Sequence, residues 1–190
     1  IDLDACMNKG ISVFNAPFSN TRSVVEMVIG EIIMLMRGTL QKSMAMHRGE
    51  WNKSAKGSVE IRGKKLGIVG YGNIGSQLSV LAEGLGMQVL YYDKEEKLAL
   101  GNAQKVNSLK DLMRKSDVVT FHVDGHPDNE GIIGKKELAW MKDGAIFINL
   151  ARGKVVDLFA LKTALESGKI RGAAVDVFPK EPKSNDEAFE

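Results

Sequence analysis

Glycines at positions 70, 72 and 75, spaced as G-x-G-x-x-G, leave few folds open to this chain. A short apolar run at 66–69 precedes them, and apolar residues three or four apart follow them at 74–85, as on one face of a helix. A second apolar run at 89–92 ends in Asp93. Strand, glycine turn, helix, strand and acid in this order predict a βαβ unit that binds a dinucleotide at its first turn.

Each glycine has a chemical reason at its position. Gly70 lets the chain turn sharply out of the strand, Gly72 lets a pyrophosphate approach the backbone, and Gly75 lets the helix pack closely against the sheet. The free N–H groups at the start of that helix, around 73–76, and the helix dipole favour the negative phosphates. The alternative is a purely structural glycine turn with a solvated Asp after it.

Asp93 indicates which dinucleotide is bound. It lies 18 residues after Gly75, at the end of the second predicted strand. A carboxylate there accepts hydrogen bonds from the adenosine ribose and repels a 2′-phosphate. The sequence therefore predicts NAD rather than NADP.

From residue 64 onward, predicted strands alternate with predicted helices. The strands are short unbroken apolar runs such as IFINL, which is typical of strands that are covered on both faces. Alternating βαβ units predict an α/β fold of the Rossmann type, a doubly wound parallel sheet. We expect strands at 65–70, 88–92, 104–106, 118–122, 145–149 and 173–177, and helices at 74–85, 94–100, 108–115, 135–142 and 157–167.

The residues before the glycine turn predict a long leading helix. After a short helical pattern and a strand at 12–15, we expect one helix over 21–48, whose start has the capping-box spacing Ser23 and Glu26. This helix is apolar over much of its circumference. We therefore expect it to be buried on more than one side, or to form a subunit interface.

A polar connection at 49–63, with a short strand at 59–61, follows this helix. The change from an apolar helix to a polar segment predicts a domain boundary there.

Composition and charge exclude several classes of partner. The formal net charge of +2 is too small to indicate nucleic acid or a membrane surface. No apolar run is long enough to span a membrane, and no metal site is indicated. The single cysteine, Cys6, excludes an internal disulfide and suits a reducing compartment, the cytoplasm. The chain has no starting Met and opens on what reads as mid-domain sequence, so we expect a piece of a longer polypeptide.

Candidate site residues should follow the strand ends, because ligands bind at the edge of a parallel sheet where the strands' carboxyl ends meet. His122 ends the fourth predicted strand, Arg152 follows the fifth, and Asp176 and Glu181 lie at and beyond the end of the sixth. From the residues alone, each has an ordinary alternative. Arg152 can be a surface arginine, Glu181 a solvated loop charge and Asp176 a strand-end cap.

Four segments, GKKLGIVGYGNIGSQL, VVTFHVDGHPDNEGIIG, MKDGAIFINLARGKVVD and GAAVDVFPKEP, together resemble the D-isomer-specific 2-hydroxyacid dehydrogenases. The resemblance implies an NAD-binding domain with its leading crossover helix, taken from a subunit that also has a substrate domain. It divides the chain into a remnant of the substrate domain at 1–20, a crossover helix at 21–48, the Rossmann domain at 49–182 and a returning tail at 183–190.

The resemblance also implies the chemistry. The opening NAPFSNTRSVVEMVIGEIIMLMRG is most similar to family members that oxidise 3-phospho-D-glycerate to 3-phosphohydroxypyruvate in serine synthesis. The family's catalytic set is an Arg, a Glu and a His. Arg152 matches the Arg, which clamps the substrate carboxylate and carbonyl, and Glu181 matches the Glu, which raises the pKa of the imidazole. None of the three histidines, His47, His122 and His126, occupies the position of the family's His.

Further residues acquire expected roles from the same resemblance. Asn73 and Ile74 belong to the phosphate turn, with Asp93 at the ribose. The segment that precedes the long helix faces the interdomain cleft. The expected cofactor contacts are Gly70, Gly72, Asn73, Ile74, Gly75, Asp93, His122, Val123, Leu150, Ala151, Arg152, Asp176 and Thr21, and the expected substrate contacts are Asn20, Arg22 and Arg152.

Two alternatives stay open at this point. The chain can belong to another D-2-hydroxyacid dehydrogenase, acting on lactate, glycerate or a longer 2-keto acid, or to an NAD-sensing corepressor scaffold. For an enzyme, the expected partners are a small 2-hydroxy acid substrate and further copies of the chain, as a homodimer or a higher homo-oligomer; in a scaffold, the nucleotide domain mediates dimerisation and partner binding.

Overall fold

The computed structural model describes residues 1–182, 184 and 186–189. Six parallel strands form one sheet in the order β3-β2-β1-β4-β5-β6, which is the Rossmann order, and the predicted fold class is confirmed. The strands are β1 (Lys65–Val69), β2 (Gln88–Tyr92), β3 (Gln104–Lys105), β4 (Val118–Phe121), β5 (Ala145–Asn149) and β6 (Ile170–Val175). The helices are α1 (Leu3–Asn8), α2 (Thr21–Arg37), α3 (Thr39–His47), α4 (Asn73–Gly84), α5 (Leu109–Lys115), α6 (Lys135–Trp140) and α7 (Leu158–Glu166), with single 3₁₀ turns at Pro127–Asn129 and Gly153–Val155.

The strand order reverses between β1 and β4, and this places the turn after β1 beside the end of β4. The Gly70 N–H donates to the Tyr92 carbonyl at 2.9 Å, and the His122 N–H donates to the Val69 carbonyl at 2.7 Å. The ends of β1, β2 and β4 are thereby joined at one edge. That edge is where a ligand binds in folds of this type.

Apolar side chains cover both faces of the sheet, as the unbroken apolar strands predict. On one face, Phe121 and Phe147 pack with side chains of α5, α6 and α7. On the other face, Ile68 and Ile148 pack with side chains of α2 and α4. All four strand residues have no exposed surface, which fixes the sheet between two helical layers.

The predicted helix over 21–48 is wrong in two respects. It is two helices, because Gly38 adopts a left-handed φ of 63° and ends α2. It is also buried on one side only: Val28 and Ile32 have no exposed surface, whereas Ile33 is 38% exposed.

The predicted capping box at the start of this helix does not form. The helix begins at Thr21, so Ser23 lies inside the first turn rather than at the N-cap. Glu26 pairs instead with Arg22, at 2.6 Å between Oε1 and Nε.

Three predicted elements are absent from the described residues. Residues 12–15 and 59–61 form no strand, and 94–100 form no helix. Val59 donates its N–H to the Met36 carbonyl and so joins the end of α2 rather than the sheet. The loop at 94–100 is held by tyrosine hydroxyls, which take the place of helical hydrogen bonds.

The last strand begins three residues earlier than the predicted 173–177. The start of this strand is not an apolar run, because Arg171 lies within β6. The Arg171 guanidinium donates to the Gly57 and Met36 carbonyls. Of the predicted tail, Lys183, Asn185 and Glu190 lie outside the described residues. Across the described helices, none combines the length and apolar character that a bilayer crossing needs.

Candidate cofactor-binding site

Two adjoining clefts lie at the carboxyl ends of the strands. The first, here named the turn cleft, has a volume of about 400 Å³ and is lined by Gly70, Gly72 and Asp93 among others. The second, here named the arginine cleft, has a volume of about 580 Å³ and is lined by residues that include Arg152 and Glu181. Asp124 and Asn129 line both clefts, so the two volumes meet along this pair of side chains.

The glycine turn has the geometry that its sequence predicts. Gly70 has a φ of 92°, and a Cβ there would lie 2.6 Å from the His122 carbonyl oxygen. A Cβ on Gly75 would lie 2.3 Å from the Gly70 carbonyl oxygen, so only glycine lets α4 start this close to β1. Around Gly72, by contrast, a Cβ would meet no described atom within 4 Å. This leaves space beside the backbone at the N-cap of α4, where a phosphate can approach the first-turn N–H groups.

Asp93 is held in place by two backbone hydrogen bonds. Its Oδ2 accepts from the Tyr71 N–H at 2.7 Å, and its Oδ1 accepts from the Glu95 N–H at 2.9 Å. Each carboxylate oxygen has a second lone pair, so both remain able to accept a ribose hydroxyl. The carboxylate therefore stands in the turn cleft in a fixed orientation.

His122 is a neutral imidazole at the end of β4. Burial lowers its pKa from 6.5 to about 4. Its Nε2 lies 3.0 Å from the Thr120 hydroxyl, and its Nδ1 is buried without a hydrogen-bond partner among the described residues. Together with Val123 it lines the turn cleft and gives that wall an uncharged polar group.

The main chain around Arg152 is fixed by the last residue of β5. The Asn149 side chain donates to the Arg152 carbonyl at 3.0 Å and accepts from the Ala151 N–H at 3.1 Å. The Arg152 residue is itself exposed, and its Nη1 donates to the Ala151 carbonyl at 2.7 Å. Sequence reasoning missed Asn149, although a polar residue that ends a buried strand was a usable signal.

Glu181 reaches the arginine cleft because its loop packs against the turn after β5. A Cβ on Gly153 would lie 2.0 Å from the Phe178 carbonyl carbon, so the loop lies directly over this glycine. The Phe178 N–H donates to Glu181 Oε1 at 2.8 Å. The exposed Asp176 lies just before this loop, and its N–H donates to the Asn149 carbonyl at 3.2 Å.

The structure gives other predicted residues different surroundings. The Pro17 carbonyl accepts from Asn73 Nδ2 at 3.2 Å and from the Thr21 hydroxyl at 3.4 Å, which ties the start of α2 to the glycine turn. Of the predicted site residues, Asn20, Thr21, Arg22, Asn73, Ile74, Gly75, Leu150 and Asp176 line neither of the two clefts described above.

Glu31 is a second residue that sequence reasoning missed, and it is titratable. It lies on α2, and burial together with the charge of Asp176 raises its pKa from 4.5 to about 7. Its Oε2 is buried and accepts no hydrogen bond from the described residues. Two carboxyl groups therefore lie near each other at the end of β6, which the spacing along the chain did not indicate.

These residues fit an extended dinucleotide. The turn cleft offers open space at a helix N-terminus and a fixed carboxylate for a ribose, and it continues past Asp124 into the arginine cleft. The combined site can bind a phosphate-linked ligand at one end and an anionic substrate beside Arg152 at the other.

Comparison with known proteins gives an independent result. Residues 29–190 match the NAD-binding domain of the D-isomer-specific 2-hydroxyacid dehydrogenases. The D-3-phosphoglycerate dehydrogenases of Haemophilus influenzae and Escherichia coli K12 are 58% and 56% identical to this chain over 189 residues. Each match covers 100% of this chain and 46% of the relative, so the chain spans about half the length of these curated relatives.

A solved structure supports the same assignment. The D-lactate dehydrogenase of Lactobacillus jensenii, determined with NAD⁺, is similar with a TM-score of 0.89 and 29% identity. The similarity covers 100% of this chain and 58% of that one.

Proposed function

The chain belongs to the D-isomer-specific 2-hydroxyacid dehydrogenases, as an NAD-binding domain of that family, and from this membership we propose that it serves an enzyme that oxidises 3-phospho-D-glycerate to 3-phosphohydroxypyruvate. The substrate is inferred from the two relatives named above, which share more than half of their aligned residues with this chain. The wider similarity to a D-lactate dehydrogenase favours the same chemistry on another 2-hydroxy acid as the second candidate.

The observation that carries the proposal is the placement of Arg152 and Glu181 in one cleft that adjoins the glycine turn and Asp93. Bound NAD would supply the nicotinamide ring that takes up a hydride. The guanidinium of Arg152 would bind the substrate carboxylate in a bidentate fork and so fix the orientation of the carbon that is oxidised.

Glu181 would act on the proton rather than on the hydride. By resemblance, its carboxylate pairs with an imidazole and raises the pKa of that group, so that it can serve as acid and base. Among the described residues, no hydrogen bond joins Glu181 to a histidine, and its Oε1 accepts from the Phe178 N–H. We therefore expect this chain by itself to bind NADH but to turn over little 3-phospho-D-glycerate.

The cofactor part is tested by titrating the chain with NADH and NADPH, with excitation of Trp51 and Trp140 and detection of energy transfer to the nicotinamide. We expect saturable binding, tighter for NADH. An Asp93→Ala variant should lose most of that preference, because the carboxylate that repels a 2′-phosphate is gone. Equal binding of both cofactors by the parent chain would show that Asp93 does not reach the ribose.

The substrate part is tested on the natural gene product that carries this domain, with a panel of 2-hydroxy acids that includes 3-phospho-D-glycerate, D-lactate and D-glycerate. An Arg152→Lys variant should lose kcat/KM by about a hundredfold or more, since Lys cannot form the bidentate fork. Its affinity for NADH should change little. A clear preference of the parent for D-lactate would overturn the choice of substrate.

We also propose that the protein is a cytoplasmic homodimer in which α2 and α3 pair with those of a second copy, and that the chain divides at 1–20, 21–48, 49–182 and 183–190 as the resemblance implies. The support for the dimer is apolar exposed surface on both helices, at Met27, Ile33, Met34, Leu40 and Met44.

Sedimentation of the natural gene product tests this interface. Ile33→Glu should convert the dimer to a monomer, because it buries an unpaired charge. Phe159→Glu is the matched control, since Phe159 is 85% exposed but lies on α7. Dissociation by the control alone would place the interface elsewhere.

A further inference from the structure

Residues 94–100, here named the rim loop, border the part of the turn cleft next to Asp93. Lys94, Glu95 and Lys97 of this loop line the cleft. The rim loop has no regular secondary structure, so its position depends on side-chain contacts from outside it.

Both lysines of the rim loop are already engaged. Lys94 Nζ donates to Asn129 Oδ1 at 3.1 Å, and Lys97 Nζ pairs with the Glu95 carboxylate. Asn129 is in turn fixed by Asp124, with 2.7 Å between its Nδ2 and the Asp124 carboxylate. Each ammonium group therefore has one partner that holds it in place, and it keeps two further N–H donors.

Two stacked tyrosines hold the rim loop. Tyr71, the residue between the first two glycines of the turn, is 3% exposed, and its ring lies 3.8 Å from that of Tyr91. The Tyr91 hydroxyl donates to the Lys97 carbonyl at 2.8 Å. The Leu100 N–H donates to the Tyr71 hydroxyl at 3.2 Å.

The direction of the hydrogen bonds follows from the chain of donors. The Ser79 hydroxyl donates its one hydrogen to the Ser76 carbonyl at 2.7 Å. The Ser79 oxygen also lies 2.7 Å from the Tyr71 hydroxyl oxygen, and in that contact it can only accept. Tyr71 therefore donates to Ser79, and its own oxygen accepts from Leu100. These hydrogen bonds connect α4, which begins at the glycine turn, to the end of the rim loop.

We propose that Tyr71 is a positioning residue for cofactor selection, with its backbone N–H orienting Asp93 and its hydroxyl holding the rim loop. The inference rests on the proposed cofactor site. While the loop is held, Asp93 repels a 2′-phosphate, Lys94 stays with Asn129, and Lys97 stays where the Tyr91 hydroxyl holds its carbonyl. If the loop is released, both lysines can move toward that phosphate, and the preference for NAD over NADP falls.

The test compares dissociation constants for NADH and NADPH in a Tyr71→Phe variant. Phe keeps the ring stack but cannot accept from the Leu100 N–H. We expect the ratio of the NADPH constant to the NADH constant to fall by about fivefold to tenfold, the equivalent of one hydrogen bond. Tyr91→Phe, which frees the Lys97 carbonyl, should shift the ratio in the same direction and serves if Tyr71→Phe does not fold.

Two further variants separate the positioning role of Tyr71 from a general destabilisation of the structure around the rim loop. Ser79→Ala removes the other partner of the Tyr71 hydroxyl but leaves its contact with Leu100, so the ratio should stay within about twofold of the parent. Adding Lys94→Met and Lys97→Met to Tyr71→Phe should restore the parent ratio, because the two rim-loop ammonium groups that line the cleft are removed.

The possible failures are distinguishable. An unchanged ratio in folded Tyr71→Phe and Tyr91→Phe overturns the role of Tyr71 while leaving the proposed cofactor site intact. A lowered ratio that the lysine substitutions do not restore overturns the role of the rim loop. Absence of saturable NADH binding by the parent chain overturns the cofactor site, and this inference with it.

Discussion

At the scale of single residues, Gly70 and Gly72 are required for different physical reasons. Gly70 has a φ of 92° and lies against the His122 carbonyl, so its requirement comes from the fold. Gly72 has a φ of −85°, and a Cβ there would clash with none of the described residues. Its requirement should come from the ligand.

Alanine substitutions separate these two requirements. Gly70→Ala should lower the free energy of unfolding by about 2 kcal/mol or more, because alanine is strained at this φ and its Cβ meets backbone. Gly72→Ala should keep the free energy of unfolding within about 1 kcal/mol of the parent but weaken NADH binding at least about tenfold. Urea unfolding and NADH titration measure the two effects. Parent-like NADH affinity in Gly72→Ala would show that no phosphate approaches this backbone.

The site residues differ in how far their sequence positions reveal them. Asp93 and Arg152 follow apolar runs that end at the ligand edge of the sheet, so strand order and spacing were sufficient to predict that they lie at the clefts there. Asn149 and Tyr71 make their contacts with backbone groups, and the pKa of Glu31 is raised by burial and by the charge of Asp176, on a distant part of the chain. Such contacts exist only after the chain has folded, and local patterns do not encode them.

At the scale of secondary structure, α2 buries a single stripe of side chains. Ile32 has no exposed surface, whereas its neighbour Ile33 is 38% exposed. Ile32→Ala should lower the free energy of unfolding of the monomeric chain by about 2–4 kcal/mol, because it leaves a cavity between α2 and the sheet. Ile33→Ala should stay within about 0.5 kcal/mol. Equal losses in chemical unfolding would mean that α2 is enclosed on both sides, as the sequence predicted.

Asp117 lies directly before β4 and links the start of that strand to the starts of β1 and β5. Its Oδ2 accepts from the Lys65 N–H of β1 and its Oδ1 from Lys142, just before β5, both at 2.8 Å. Burial by itself raises the pKa of Asp117, but these hydrogen bonds and the nearby lysine charges lower it below its ordinary value. The link is therefore present at neutral pH, and it is lost as the pH falls through the lowered pKa.

Removal of this carboxylate should destabilise the sheet. Asp117→Ala should lower the free energy of unfolding by about 1–3 kcal/mol, since the Lys65 N–H loses its acceptor. Asp143→Ala is the matched control, because Asp143 also pairs with a lysine, at 2.7 Å, but its side chain is 90% exposed. That control should change the free energy by less than about 0.5 kcal/mol. Similar losses in both variants would assign the effect to the ion pair rather than to the strand.

The predicted elements failed where the fold supplies a competing partner. The polar run at 94–100 has helical character, but two tyrosine hydroxyls take its backbone groups. The helix over 21–48 has no proline to stop it, yet Gly38 adopts a left-handed conformation and the chain turns. The buried strands, by contrast, follow from their own composition, because an unbroken apolar run has to be covered on both faces.

At the scale of the whole molecule, two partly buried groups give the stability opposite dependences on pH. Glu31 has a folded pKa of about 7 against an ordinary 4.5, so its contribution is fully present below 4.5 and is lost as the pH rises through 7. His122 has a folded pKa of about 4 against an ordinary 6.5, so its contribution is present above 6.5 and is lost as the pH falls through 4. Between pH 6.5 and 4.5 the two effects oppose each other.

Substitution of either group should reveal the pH dependence of the unfolding free energy that the other group contributes. Relative to the parent, His122→Gln should gain stability as the pH falls from 6.5 to 4.5, by up to about 1.4 kcal/mol per pH unit. Glu31→Gln should lose stability over the same range by a smaller amount, because Glu31 is partly exposed and solvent screens its charge. Urea unfolding of the three proteins at half-unit steps of pH measures the curves. Glu31 and His122 lie on different elements, so the opposing pH dependences are a property of the whole fold. Parallel curves of unfolding free energy against pH for the three proteins would contradict this prediction.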